Sequence, residues 1–261
     1  MNVLITGGNG YLAKSIAKTL EKSHKVESIS RDNFDLRDER STDLWFKDKK
    51  YDAVVHTAVK GGSRLHPDEA DVIDGNVKMY NNLSKNSNRF KKLIHFGSGA
   101  EVYAGNTPYA ISKRMISNLI EKKDNFYNLR IFAVFDENEL ETRFIKSNVK
   151  KYINNQSMQV HSDKQMDFFY MQDLSSLIEY YLLNGGNKNT DCCYPYKKTL
   201  MQIANFINTL GSHNVLIEAS AGWLNKTPPY TGISELPIKT VGLEEGIRRV
   251  YKKLYQATTK L

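Results

Sequence analysis

Tyr109-Ala-Ile-Ser-Lys113 sets a phenol and an ammonium four residues apart. Pro108 can open a helix at this point, and positions i and i+4 of a helix share one face. A neighbouring ammonium favours the phenolate and lowers a tyrosine pKa from its ordinary value of about 10. Such a tyrosine can pass a proton to or from a carbonyl or alcohol oxygen near neutral pH. With 15 tyrosines in the chain, a pair at this spacing is easily met by chance. Its place in the chain gives it weight. The pair follows Leu93-Ile-His-Phe96, an apolar strand that runs into Gly97-Ser-Gly99. The Ser98 hydroxyl would then reach the same substrate oxygen.

A second stretch supplies the other half of a redox site. Val3, Leu4 and Ile5 form a short apolar run, and Gly7, Gly8 and Gly10 follow. Tyr11, Leu12, Ile16, Ala17 and Leu20 then recur at helical spacing. Strand, glycine turn and helix in this order make a phosphate cradle. Gly7 permits the tight turn, Gly10 lets a phosphate approach the backbone, and the helix N-terminus offers unpaired N–H groups. Ala13 stands where a third glycine would sit. A dinucleotide held here, with its nicotinamide beside Ser98, Tyr109 and Lys113, would complete a hydride-transfer site. The end of the second strand, Lys25-Val-Glu-Ser-Ile-Ser-Arg31, bears on which dinucleotide. An aspartate at that end would bond a ribose 2′-OH and indicate NAD. Arg31 instead can pair bidentately with a 2′-phosphate, which favours NADP over NAD.

The elements between these groups must bring them together. Helices are expected over residues 38–49, 68–87 and 108–122. Short strands are expected at Asp52-Ala-Val-Val-His56, 93–96 and 128–134. Strands alternating with helices imply an α/β fold with a doubly wound, mostly parallel sheet. Ligands of such sheets bind beyond the carboxyl ends of the strands. Gly7, Arg31, Ala58 and Ser98 all fall at such ends, so one crevice should hold them. Residues 1–135 form this dinucleotide-binding domain. Residues 136–261 form a smaller, mixed α+β, substrate-binding region. Its helices are expected over 142–154, 173–183, 199–210 and 241–254, and its strands over 158–161 and 167–170. A loop-rich stretch containing Pro228-Pro229 is expected over 222–236.

Composition narrows the function classes. The net charge is +8, but the basic clusters lie on separate expected helices with acids interleaved. They read as solvated faces, with no nucleic-acid module among them. No run approaches the roughly 20 apolar residues of a membrane span. The N-terminal apolar run is too short for a signal peptide, so a soluble cytoplasmic protein is expected. Cys192 and Cys193 are adjacent and suit neither a disulfide framework nor a metal site. His56, His95 and His161 are not spaced as metal ligands, and no metal is expected.

Thr6-Gly-Gly-Asn-Gly-Tyr-Leu-Ala13, Ser98 and Tyr109-x-x-x-Lys113 together resemble the extended short-chain dehydrogenase/reductase family, of the NAD-dependent epimerase/dehydratase type. Asp52-x-Val-Val-His-x-Ala58, Asn76-Val77 and Thr240-Val-Gly-Leu-Glu-Glu-Gly-Ile247 match further family positions. Arg31-Asp-Asn-Phe-Asp-Leu36 and Leu93-Ile-His-Phe-Gly-Ser98 resemble the GDP-fucose synthase and 4-keto-sugar reductase branch. The resemblance implies a Rossmann fold, a nucleotide-sugar substrate and a homodimer that pairs through two helices per subunit. It implies Tyr109 as general acid, with Lys113 lowering its pKa and holding the nicotinamide ribose. It implies Ser98 as the group orienting the keto oxygen, and Asn76 as a support for the active-site helix. The expected cofactor contacts are Gly7, Gly10, Tyr11, Leu12, Arg31, Ala58 and Lys113. The expected substrate contacts are Ser98, Gly99 and Arg143.

Departures from the branch narrow the chemistry. Ala100 stands where its epimerising cysteine would be, and Arg143 where the partner histidine falls. Simple ketone reduction is therefore favoured. Met166, not arginine, precedes Asp167-Phe168, which leaves a substrate diphosphate to Lys164, Arg143 or Lys146. Aligning on Val102-Tyr103 would put Gly99 at the serine position. Ser98 is preferred because the strand and Gly97 then match without a gap. The expected function is an NADPH-dependent reductase of a nucleotide-activated 4-keto-6-deoxy sugar. A nucleotide-sugar 4-epimerase with tightly bound NAD and a non-enzymatic dinucleotide sensor are the alternatives.

Overall fold

The computed structural model describes residues 1–63, 66–219 and 228–258. In chain order they form β1 (Asn2–Thr6), α1 (Tyr11–Leu20), β2 (Lys25–Ile29), α2 (Glu39–Phe46), β3 (Tyr51–His56) and α3 (Val72–Lys85). Next come β4 (Phe90–Ser98), α4 (Ala100–Tyr103), α5 (Pro108–Ile120), β5 (Phe126–Ile131), β6 (Val134–Phe135) and α6 (Phe144–Ile153). The rest comprises β7 (Met158–Val160), β8 (Phe169–Tyr170), α7 (Met171–Asn184), β9 (Asn189–Cys192), α8 (Leu200–Ile207), β10 (Ile217–Ala219) and α9 (Leu243–Thr258). The chain divides into two compact units. The first holds Met1–Ile131 and Ser175–Thr190, and the second holds Phe132–Leu174 and the described residues from Asp191 onward.

The first unit is built on a six-stranded sheet in the order β2-β1-β3-β4-β5-β9. β1 pairs in parallel with β2 and β3, β3 with β4, and β4 with β5. This is a doubly wound Rossmann-type sheet. Val3, Leu4 and Ile5 of β1 and Ala53, Val54 and Val55 of β3 are fully buried, because helices cover both faces of such a sheet. α1 turns Ala13, Ile16, Ala17 and Leu20 inward. Asp38 caps α2 by accepting the Ser41 N–H at 3.0 Å. Thr107 caps α5 by accepting the Ala110 N–H at 3.2 Å, with Pro108 in the first turn. Between the sheet and α3 and α5 lie Tyr80, Leu83, Leu93, Ile116, Ile120 and Phe126. The chain runs from β1 to β2 on one side and returns past β1 to β3 on the other. The switch point therefore lies beyond the ends of β1 and β3, where Gly7 and Ala58 stand.

Several bounds differ from those the pattern predicts. The second strand ends at Ile29, not Arg31, because Asn33 Oδ1 accepts the Ser30 N–H at 2.9 Å and folds the chain into a turn. The expected helix over 68–87 begins only at Val72. The Asp68 carboxylate instead accepts the backbone N–H groups of Gly62 (2.8 Å) and Tyr109 (3.0 Å). The strand expected over 93–96 runs from Phe90 to Ser98, and that over 128–134 is Phe126–Ile131.

The second unit pairs β6 with β8 and β7 with β10, and both pairs are parallel. Its core includes Phe135, Ile145, Val149, Tyr152, Ile203 and Ile247, from the small strands and from α6, α8 and α9. Cys192 and Cys193 are buried free thiols. Residues 222–227 of the expected loop lie outside the described residues, and 228–236 carry no regular element beyond an isolated bridge at Tyr230. Among the described residues no helix is long and apolar enough to cross a membrane.

Candidate active site

The glycine turn packs against the ends of two strands. Gly7 has φ +74°, and a Cβ there would lie 2.8 Å from the Ala58 nitrogen. The conformation and the contact together require glycine. The Gly8 N–H donates to Ile29 O at 2.7 Å, and the Gly10 N–H donates to Gly7 O at 2.8 Å. At the edge of β3, Thr57 Oγ1 donates to Thr6 O at 2.6 Å. A cleft of about 530 Å³ opens beyond this turn, and Gly7, Gly10, Arg31 and Ala58 all line it. Tyr11 and Leu12 open α1, half-buried, outside that lining.

Asp35, Arg37 and Lys60 also line the cleft and were not singled out as site residues in the sequence. Arg37 donates to both Asp35 oxygens, with Nε 3.0 Å from each and a terminal nitrogen 2.6 Å from Oδ2. That guanidinium holds the Asp35 carboxyl below the usual carboxylate range. The spacing Asp35-x-Arg37 was the available signal. Asp32 faces its own loop. It accepts from Asn9 Nδ2 and Ser30 Oγ, both at 2.8 Å, and these bonds hold its carboxyl low.

The tyrosine–lysine pair stands as its spacing predicts, on α5. Lys113 is 4% exposed, and its Nζ donates to Phe96 O at 2.5 Å. Burial lowers its pKa to about 8, against the pull of the Glu101 carboxylate. The ammonium lies 5.6 Å from the centre of the Tyr109 ring. That ring lies against Gly62, where a Cβ would stand 2.7 Å from Tyr109 Cε2. The Asp68 bond to the Tyr109 N–H fixes the start of the helix. Asn76 of α3 donates to Ser112 Oγ at 3.0 Å, and Ser112 donates to Tyr109 O at 2.7 Å. Ser98, at the end of β4, is buried. Its Oγ accepts the Ala100 N–H at 3.1 Å, which leaves the hydroxyl hydrogen to donate. Gly99 follows it, with its N–H held by Ile131 O at 2.9 Å.

Arg143 stands in the second unit, immediately before α6. Of the cations considered for a diphosphate, Lys146 is engaged within that unit. It donates to Glu139 O at 2.8 Å and pairs with Glu141 at 2.9 Å. His56 and His95 lie side by side in the sheet, ring centres 5.3 Å apart. Burial pushes His56 down to about 3 and His95 well below its ordinary value, so both rings are neutral near pH 7. Phe135, Phe169 and Tyr170 are core residues, and Tyr103 is exposed. Asp68 and Glu101 were not found from sequence, since neither belongs to a motif, and Ser112 was read only as a spacer between Tyr109 and Lys113. Among the described residues no group of three His, Cys, Asp or Glu side chains is placed to hold a metal ion.

A parallel sheet with a glycine turn at its switch point, and a tyrosine–lysine helix in the same unit, defines a Rossmann-type enzyme scaffold. The chain belongs to the NAD dependent epimerase/dehydratase family, whose profile matches residues 3–191. The resemblance drawn from Thr6–Ala13 and Tyr109-x-x-x-Lys113 is thereby borne out. CDP-abequose synthase of Yersinia pseudotuberculosis is 22% identical over 253 residues, covering 82% of this chain and 86% of that one. A GDP-mannoheptose C4 reductase from Campylobacter jejuni with NADP bound has the same fold. Its TM-score is 0.79 at 16% identity, covering 96% of this chain and 97% of that one. A Thermus thermophilus UDP-glucose 4-epimerase in complex with NAD gives a TM-score of 0.74 at 16% identity, covering 97% and 98%. The solved structures of this fold thus include both a reductase and an epimerase of nucleotide-linked sugars.

Proposed function

We propose that this protein is an NADPH-dependent reductase of a nucleotide-activated 4-keto-6-deoxy sugar. The observation that carries the reading is the buried Lys113 ammonium, fastened to Phe96 O and facing the Tyr109 ring. The glycine cradle fits a dinucleotide, because a Cβ at Gly7 would fill the space in which the turn meets Ala58. Gly7, Gly10 and Ala58 would hold its phosphates. Arg31 supports a 2′-phosphate, since it lines the cleft while Asp32 is engaged with Asn9 and Ser30. When bound, the nicotinamide supplies the hydride. Tyr109 gives its phenolic proton to the keto oxygen, and Lys113 stabilises the phenolate left behind. Ser98 donates its hydroxyl hydrogen to the same oxygen and orients it. Gly99, next to Ser98, would contact the sugar nucleotide. Ala100, in place of a thiol, leaves no acid–base group there for epimerisation, which supports reduction alone.

The test is turnover of nucleotide-linked 4-keto-6-deoxy sugars with added NADPH. NADPH loss should match keto-sugar loss mole for mole. If the purified protein instead carries tightly held NAD and interconverts epimers without added cofactor, it is a 4-epimerase.

A further inference from the structure

Behind Ser98 lies a buried carboxylate that is not one of the three reacting groups. Glu101 belongs to α4 and is 8% exposed. Its Oε1 accepts the Ser98 backbone N–H at 2.8 Å. Asn128 Nδ2 donates to its two oxygens, at 3.4 Å and 3.2 Å. The carboxylate occupies the space over Gly97, where any side chain would collide with it and with the Asn128 amide. Glycine before Ser98 is therefore a requirement of the carboxylate as well as of the strand.

Lys113 reaches the same end of β4. Phe96, which accepts its ammonium, and Ser98, which donates to Glu101, stand two apart on one strand. Their backbone groups point to the same edge. Ammonium and carboxylate thus flank Gly97, each fastened to the strand that carries Ser98. A lone buried carboxylate would take up a proton, and a lone buried ammonium would lose one. Burial pushes the Glu101 carboxyl up. The Ser98 N–H, Lys113, Arg130 and Asn128 oppose that rise, and the carboxyl stays above its ordinary value. The reciprocal effect acts on Lys113, where Glu101 opposes the lowering by burial. The other titratable groups facing Lys113 are the Tyr109 ring and the neutral His56 and His95.

We infer that Glu101 is a positioning residue of this site: it braces the backbone of Ser98 and supplies the counter-charge that keeps Lys113 an ammonium beside Tyr109. Its consequence for turnover rests on the reductase reading. An ammonium retained above neutral pH keeps the phenolate of Tyr109 stabilised after proton transfer.

The experiment follows the side-chain carbon resonance of Lys113 in the full chain with labelled lysine, assigned by its absence from Lys113→Met. Glu101→Gln keeps an acceptor for the Ser98 N–H and drops the charge. Lys113 should titrate near 8 in the native protein. In Glu101→Gln it should titrate about one unit lower or more, as expected on losing a nearby opposite charge. The alkaline limb of kcat/KM should move down with it. An unchanged Lys113 titration in a folded Glu101→Gln protein overturns the inference. Should that variant not fold, labelled glutamate in the native protein decides. The Glu101 carboxyl should be ionised at neutral pH, and a protonated one overturns the counter-charge. These titrations need no substrate. If they come out as expected while no keto-sugar is reduced, the reductase reading fails and the role of Glu101 stands. If keto-sugar is reduced and Lys113 titrates alike in both proteins, the role of Glu101 fails alone.

Discussion

The Asn76 carboxamide donates to the Ser112 hydroxyl at 3.0 Å and so ties α3 to the helix carrying Tyr109 and Lys113. The same carboxamide accepts the Lys60 N–H at 2.8 Å and donates to Lys60 O at 2.9 Å. One side chain, 2% exposed, therefore holds both the loop after β3 and α5. Asn76→Ala leaves several of these groups without partners. The expected loss of stability is about 2–4 kcal/mol, at roughly 1–3 for each buried unsatisfied group with partial relief by water. Urea unfolding measures it, and a midpoint equal to that of the native protein refutes the clamp.

Tyr109→Phe removes the hydroxyl proposed to donate the proton and leaves the ring that packs on Gly62. Turnover should fall by roughly 10²–10⁴-fold, the usual size of general acid catalysis. Dinucleotide affinity, read by fluorescence quenching, should stay within about twofold, because the cradle does not involve the phenol. Full activity in this variant would remove Tyr109 from the mechanism.

Gly7→Ala acts on the cofactor alone. A methyl at φ +74° and 2.8 Å from the Ala58 nitrogen forces the turn or the end of β3 to move. Dinucleotide binding should weaken by tenfold or more, about 1.4 kcal/mol in affinity. The sheet should survive by circular dichroism. Native affinity in this variant would place the phosphates elsewhere.

The first unit was legible because its signals are local. Val3–Ile5, the glycines and Ile16–Leu20 carry their own periodicities, and so does the helix opened by Pro108. The contacts that organise the site were not local. Asp68 reads as the start of a helix by spacing, yet it reaches 41 residues along the chain to the Tyr109 N–H. Glu101 carries no local signal, and the missing side chain of Gly97 makes room to bury it. Ser175–Thr190 joins the first unit although the chain has already built part of the second. No local pattern announces such a return. Arg31 was legible by type, but the turn that ends β2 at Ile29 depends on Asn33.

Lys113 gives the site its pH dependence. Its pKa is lowered to about 8 by burial. The ammonium is present below that value and is lost as pH rises through it. The kcat/KM of ketone reduction should hold through neutral pH and fall on the alkaline side, above about 8. His56 and His95 should add no limb near pH 6.5, since burial keeps both neutral there. A profile between pH 6 and pH 10 measures this, and activity that keeps rising to the alkaline end excludes an essential Lys113 ammonium.

Glu139 makes the second unit respond to pH in a separate way. The side chain is 4% exposed, and its Oε1 accepts the Lys146 N–H at 3.1 Å. Burial raises its pKa to about 8, with Lys146 and Arg143 pulling down and Asp136 pushing up. In the unfolded chain a glutamate releases its proton near 4.3. The folded value is thus raised, so the contribution to stability is full below about pH 4 and declines as pH rises towards 8. Glu139→Gln cannot ionise and keeps an acceptor for the Lys146 N–H. At about pH 5 the two proteins should be close in stability. At about pH 8.5 the variant should be the more stable, on the order of 2 kcal/mol. Urea unfolding across that range reads the difference, and a gap that does not widen with pH would mean that Glu139 is already ionised in the fold.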